Sequence, residues 1–197
     1  MEGSNCFLRN RYWVLRHGKS IPNELGLIVS SMVSERVEQA RLAGDSFRKE
    51  LIDNKFQPEN VRICYSPFSR TRHTAKVVAS QLDIPFEGAQ CMVWYGMIWD
   101  LDEKDPFKQP EEGGESVADV VSRLTNALTS IEKEFQGCAV LIVSHGDPLQ
   151  ILQTILSAAG SCKNESFASK VKEITVPSIL SHHRKFALLT GELRAVP

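Results

Sequence analysis

The sequence predicts an open α/β fold: a mostly parallel sheet with helices on both faces, arranged in three layers. Three observations carry that expectation. Short apolar runs alternate along the chain with longer segments of helical period. One run, Cys138–Val143 (CAVLIV), is apolar at every position, as a strand buried on both faces must be. Two apolar runs end in the same dipeptide, His-Gly, at the strand ends where open α/β sheets place their ligands.

The elements follow in order. Tyr12–Leu15 is a short strand closed by a glycine-containing turn. Ser34–Ile52 carries Val37, Ala40, Gly44, Phe47 and Leu51 as a helical stripe. Val61–Tyr65 is a second strand, stopped by Ser66-Pro67. Thr71–Leu82 is helical, with Ala75, Val78, Ala79 and Leu82 on one side, and Pro85–Val93 is read as holding a third strand. A helix starts at Ser116, where Val117, Val120, Val121, Leu124, Leu128, Ile131 and Phe135 keep the 3.6 period. Asp119, three residues after Ser116, makes a start of capping-box type. After the buried strand, Asp147-Pro148 opens a further helix, with Asp147 as its N-cap and Pro148 at its first position. Phe186–Leu189 is strand-like. The Asp-, Glu-, Pro- and Gly-rich stretch from Trp94 to Gly114 reads as a long loop, suited to a lid or a substrate-facing segment.

Composition bounds the function. At 197 residues the chain is expected to form one domain over 1–197, long enough to bury about 70% of its unfolded surface. Apolar residues at 42% and charged residues at 24% exclude a disordered or collagen-like chain. Lysine and arginine number 23 against 24 aspartates and glutamates, and this balance supplies no field for nucleic acid or a membrane surface. Cys6, Cys64, Cys91, Cys138 and Cys162 include no C-x-x-C pair, which argues against a zinc knuckle or a thioredoxin-type site. They are read as reduced core residues of a cytoplasmic protein. Met1–Arg11 has no apolar h-region, and no run reaches the ~18 apolar residues of a membrane helix.

Chemistry collects at the strand ends. Arg16-His17-Gly18 closes the first strand and Ser144-His145-Gly146 the buried one, so both histidines are expected in one crevice. A lone His-Gly reads as a satisfied loop histidine; two at matching strand ends leave that reading and a shared site equally open. Arg70 stands at a helix start just beyond the second strand, where the helix terminus already favours anions, whereas Arg72 reads as a solvated charge. Two histidines, Arg16, Arg70 and glycine turns make a cationic pocket without metal-ligand spacing. Arginine's fork matches phosphate, and such a pocket suits phosphoryl transfer, where catalysis is mostly positioning and charge stabilisation. His73, inside the second helix, is expected to face solvent or pack near Tyr65, and His182-His183 to lie on the surface.

Leu15-Arg16-His17-Gly18-Lys19-Ser20, followed by Asn23, resembles the Arg-His-Gly signature of the histidine phosphatase superfamily, the phosphoglycerate mutase-like proteins. The resemblance continues in the family's order through Gln39-Ala40 and Gly44, Ser66-Pro67 to Arg70 with Thr74-Ala75, Gly114-Glu115-Ser116 and Val143-Ser144-His145-Gly146. It covers most of the chain and implies a phosphoglycerate mutase-like fold and a metal-independent phosphomonoester hydrolase with no cofactor. It implies that His17 takes the phosphoryl group and that Arg16, Arg70 and His145 clamp it. Ser20 and Asn23 are implied as secondary phosphate contacts, with Gly18 and Gly146 lining the substrate site. The implied partner is a phosphorylated small molecule, not nucleic acid or a membrane.

Two features depart from the family's pattern. The connection from Asn23 to Gln39 is short. After the third strand, where the family places a Leu-x-Glu-Arg segment whose glutamate protonates the leaving group, Cys91–Trp99 contains no carboxylate. Glu87, Asp147, Asp100 and Asp102 are the candidate replacements, in no order. A catalytically weak or inactive member that binds phosphorylated ligands or a protein partner is the alternative to a hydrolase, and a mutase fits the shortened chain less well.

Overall fold

The fold is that of a computed structural model, which describes residues 7–18, 30–86, 90–91, 115–160 and 166–196. A five-stranded sheet is built from β1 (Arg11–Arg16), β2 (Val61–Tyr65), β3 (Gln90–Cys91), β4 (Ala139–Ser144) and β5 (Leu193–Val196), in the order β3-β2-β4-β1-β5. All neighbouring pairs are parallel except β1 with β5. Among the described residues six α-helices accompany the sheet: α1 (Ser30–Asp53), α2 (Ser69–Gln81), α3 (Val117–Glu134), α4 (Gly146–Gly160), α5 (Phe167–Ile174) and α6 (Pro177–Leu180).

Strand alternation sorts the core into two halves. Trp13, Leu15, Ile63, Tyr65, Leu141 and Val143 point to one face and pack with Phe47 of α1 and Val78 of α2. Tyr12, Val14, Cys64, Val140 and Ile142 point to the other and pack with Leu124 and Leu128 of α3 and Leu152 and Ile155 of α4. This two-sided cover is why β4 is apolar throughout: all six of its residues are buried.

The helix starting at Ser116 forms as its sequence dictates. Ser116 Oγ accepts from the Asp119 N–H, and the Asp119 carboxylate accepts from the Ser116 N–H at 3.0 Å, closing the capping box. Three expectations are corrected. The helix after β4 begins at Gly146, and His145, whose carbonyl accepts from the Leu149 N–H, sits at its cap; Asp147 lies inside the first turn. Pro148 is accepted there because first-turn N–H groups have no intrahelical partner. Phe186–Leu189 is not a strand, because its carbonyls are taken by side chains: Phe186 by Gln153, Ala187 by Arg194 and Leu188 by Arg16. The last strand is instead β5, which pairs with β1 from Tyr12↔Val196 to Leu15↔Leu193. Finally, His183 is buried, whereas His182 and His73 are exposed.

Among the described residues no helix is long and apolar enough to cross a membrane. Cys64 and Cys138 are buried free thiols.

Candidate active site

β1, β4 and β2 end side by side, and the chain segments leaving them build one site. The backbone holds them together beyond the strands: His17 N–H donates to the Ser144 carbonyl at 3.0 Å, and Ser66 N–H to the Val143 carbonyl at 3.1 Å. The sequence order crosses over between these strands, which opens a crevice at their carboxyl ends.

His17 is 8% exposed, and its Nδ1 lies 2.7 Å from the Gly18 carbonyl. A carbonyl only accepts, so Nδ1 carries the proton and Nε2 keeps a free lone pair. Burial pulls the ring's pKa down to about 4; the Gly18 bond opposes this, and Arg70, Arg16 and Arg36 add to it. His145 faces His17 edge-on, with ring centroids 5.1 Å apart. Arg70 Nε donates to its Nδ1 at 3.2 Å, so His145 Nε2 carries the proton and donates to Ser66 Oγ at 3.0 Å. Burial, then Arg70, His17 and Arg16, lower its pKa to about 3. Both rings are therefore neutral at physiological pH, and the positive charge of the site resides in guanidinium groups.

Each guanidinium is placed by its element. Arg16 ends β1 and donates from Nη1 to the Leu188 carbonyl at 2.7 Å, so the segment before β5 braces it. Arg70, in the first turn of α2, lies over the Phe68 ring at 4.6 Å, and Phe68 meets His145 edge-on at 5.1 Å. Phe68 is also the N-cap of α2 and supplies no side-chain cap to the terminal N–H groups. Among the described residues, no carboxylate forms an ion pair with Arg16, Arg36 or Arg70. Among the described residues the buried Arg16 Nε and Ser144 Oγ have no hydrogen-bond partner. Buried polar groups without partners mark a place for a ligand or water.

Of the residues singled out in the sequence, the structure brings together Arg16, His17, Arg70 and His145. Gly18 is committed to the backbone frame: its N–H reaches Thr74 Oγ1 at 3.4 Å and its carbonyl orients His17. Gly146 is buried, and a Cβ there would stand 3.6 Å from the Arg16 guanidinium carbon. Ser20, Asn23, Glu87, Asp100, Asp102 and the loop from Trp94 to Gly114 lie outside the described residues. Asp147 is half-buried on α4, and burial raises its pKa, with His183, Arg184 and Arg16 opposing. Arg72 is exposed. Glu115 pairs with Arg123 Nη2 at 2.6 Å and so ties the entry of α3 to its second turn.

Three contributors escape a sequence reading. Ser66 and Phe68 follow β2 closely, and their shared strand end is the signal that could have found them. Arg36 sits well inside α1, and nothing in its local sequence marks it; only the packing of α1 across Gly18 brings it to the site.

A family model described as the histidine phosphatase superfamily (branch 1) matches residues 12–189. Solved structures share the fold. A Mycobacterium tuberculosis open-reading-frame product matches at 22% identity and TM-score 0.55, covering 94% of this chain and 90% of that one. A mycobacterial glucosyl-3-phosphoglycerate phosphatase matches at 18% identity and TM-score 0.55, covering 82% and 83%. The alpha-ribazole phosphatase of Shigella flexneri matches at 19% identity and TM-score 0.55, covering 94% and 89%. No curated protein matches the sequence.

Proposed function

Because the chain belongs to the histidine phosphatase superfamily, we propose that it hydrolyses phosphomonoesters of small molecules through a phosphohistidine at His17, without metal or cofactor. The observation that carries this reading is the state of His17: its Nδ1–H is held by the Gly18 carbonyl, so Nε2 presents a lone pair in the field of guanidiniums that no carboxylate among the described residues neutralises. Two of the structural neighbours are phosphatases by name.

In the first step Nε2 of His17 forms a bond to phosphorus while the bond to the leaving oxygen breaks. That oxygen takes a proton from an acid or departs as an anion. In the second step water attacks phosphorus, the N–P bond breaks, inorganic phosphate leaves and the water's proton passes to the conjugate base. Arg16 and Arg70 neutralise charge on the equatorial oxygens, and His145 donates to them from Nε2 once that proton turns from Ser66 Oγ to the anion. Asp147 is the acid candidate on the described part of the chain. Its burial keeps a proton available to higher pH than an open carboxylate would.

Incubation with a phosphomonoester is expected to leave an acid-labile, base-stable phosphate on the protein. His17→Ala abolishes the label, Arg72→Ala retains it, and chelators leave it unchanged. A label that survives His17→Ala points to another nucleophile. Binding of phosphate without label or turnover supports the reading as an inactive binding member, which the carboxylate-free Cys91–Trp99 segment favours.

Leaving-group dependence then tests the acid. General-acid help is worth about 10²–10⁴-fold and matters least for an activated aryl ester. A chain without a placed acid keeps aryl phosphatase activity and loses most of its activity on alkyl esters. If both classes turn over at similar rates with chemistry rate-limiting, Asp147→Asn is expected to restore the steep dependence. If it does not, Glu87→Gln is next.

A further inference from the structure

We propose that Phe68 is a positioning residue of the site: its ring holds the Arg70 guanidinium against the His145 imidazole and so fixes which nitrogen of His145 carries the proton that meets the phosphoryl group. The proposal rests on the phosphomonoester reading for the use of that proton and adds the residue that sets it.

The first support is where Phe68 stands. It is 38% exposed, and among the described residues it lies outside both halves of the hydrophobic core. Its ring instead meets two site residues. The Arg70 guanidinium carbon lies 4.6 Å from the ring centroid, and the His145 ring centroid 5.1 Å from it at an interplanar angle of 85°. The second support is the base on which the ring is mounted. The Phe68 carbonyl accepts from the Thr71 and Arg72 N–H groups at 3.1 and 3.0 Å, at the extended N-cap of α2. Thr71 is buried, and its Oγ1 reaches the Ser66 and Phe68 carbonyls at 2.6 Å each. The chain from Ser66 to Thr71 is thus tied by its own bonds, and ring and guanidinium spring from one turn.

The third support is that ring, guanidinium and imidazole touch one another pairwise. Arg70 Nε donates to His145 Nδ1 at 3.2 Å while its guanidinium lies over the ring that His145 meets edge-on. An arginine side chain left to itself samples many rotamers. A cation over an aromatic face is held there by the ring quadrupole, which favours that placement by about 2–30-fold. With Nε aimed at Nδ1, His145 keeps its proton on Nε2, the nitrogen that meets Ser66 Oγ and turns to the anion. Because Nε serves the imidazole, the phosphate contact of Arg70 falls to its Nη groups.

Nitrogen NMR of the intact, isotope-labelled chain at neutral pH reads the proton position directly, since protonated and bare ring nitrogens differ in shift. In the parent chain each ring is expected in a single tautomer, His17 with its proton on Nδ1 and His145 on Nε2, the signals being assigned with His17→Gln and His145→Gln. Phe68→Leu keeps apolar bulk and removes the aromatic face. His145 is then expected to show the averaged shifts of mixed tautomers, while His17, held by the Gly18 carbonyl, stays as it was. Affinity for inorganic phosphate, measured calorimetrically, is expected to fall about 2–30-fold in the same variant. Phe68→Tyr keeps the face and is expected to restore both. Thermal melting checks that the variants fold, and Phe68→Met, equally non-aromatic, replaces Phe68→Leu if that one does not. A single Nε2–H tautomer of His145 in the non-aromatic variant overturns the proposal. So does movement of both rings together, which marks general loosening, or failure of Phe68→Tyr to restore the tautomer. The expected tautomer shifts without phosphate binding by any chain uphold Phe68 as the residue that positions His145 and overturn the phosphate reading alone.

Discussion

A histidine can attack phosphorus only as a neutral ring, and the surroundings of His17, the proposed nucleophile, keep it neutral well below the ordinary histidine range. The acid limb of kcat/KM, which reports the free enzyme, is expected near pH 4 instead of near 6.5. Protonation of Nε2 removes the nucleophile, so activity falls as pH drops through that value. An acid limb at 6.5 would mean that burial does not govern the ring. Ser66 and Arg70 do for His145 what the Gly18 carbonyl does for His17: each ring's tautomer follows from one committed nitrogen. Both histidines are legible in the sequence from their place at strand ends. The tautomers are not: Ser66 and Arg70 reach His145 only in the fold, and the Gly18 carbonyl, though next in the chain, meets His17 Nδ1 only in the local conformation that the fold imposes.

At the scale of elements, α3 shows two kinds of support. Its start is local: Ser116→Ala is expected to cost about 1 kcal/mol, read from the midpoint of urea unfolding. Its end is tertiary. Glu132 is 2% exposed and accepts from the Arg9 N–H at 2.7 Å, Asn10 Nδ2 at 3.0 Å and Tyr12 Oη at 2.5 Å. Asn10 in turn accepts from the Cys138 N–H at 2.9 Å, which ties the entry of β1 to that of β4. Glu132→Ala leaves several buried donors unpaired and is expected to cost about 3 kcal/mol, well above the loss at Ser116. Equal losses would show that the network is not desolvated. In the sequence Glu132 looks like one more charged residue next to an apolar stripe. Its burial requires the start of β1, more than a hundred residues away.

Across the whole molecule the same histidines set a stability profile. Burial holds His17 at about 4 and His145 at about 3, while in the unfolded chain both return to about 6.5. Below 6.5 the unfolded chain binds more protons than the folded one. Their contribution is therefore fully present above pH 6.5 and lost as pH falls towards the folded values. Asp147, raised by burial, has the opposite sign, but it acts in and just above the carboxylate range. Urea midpoints are expected to decline from pH 7 to pH 5, and His17→Gln to flatten the decline. A profile that stays level over that interval contradicts the assignment of both rings as buried and neutral.

By itself the sequence determined the layered α/β plan, the strands Val61–Tyr65 and Ala139–Ser144 to within a residue, the capped start of α3 and the family. These follow from periodicity, alternation and short motifs, which are written in neighbouring residues. It misplaced the last strand, because Leu193–Val196 is short and carries Arg194, while the more apolar Phe186–Leu189 spends its carbonyls on Gln153, Arg194 and Arg16. Only the tertiary structure decided that His183 is buried, that the Leu188 carbonyl braces Arg16 and that Arg36 stands beside Gly18. Each of these depends on where one element crosses another. That placement is set by the packing of both sheet faces, and no window of adjacent residues records it.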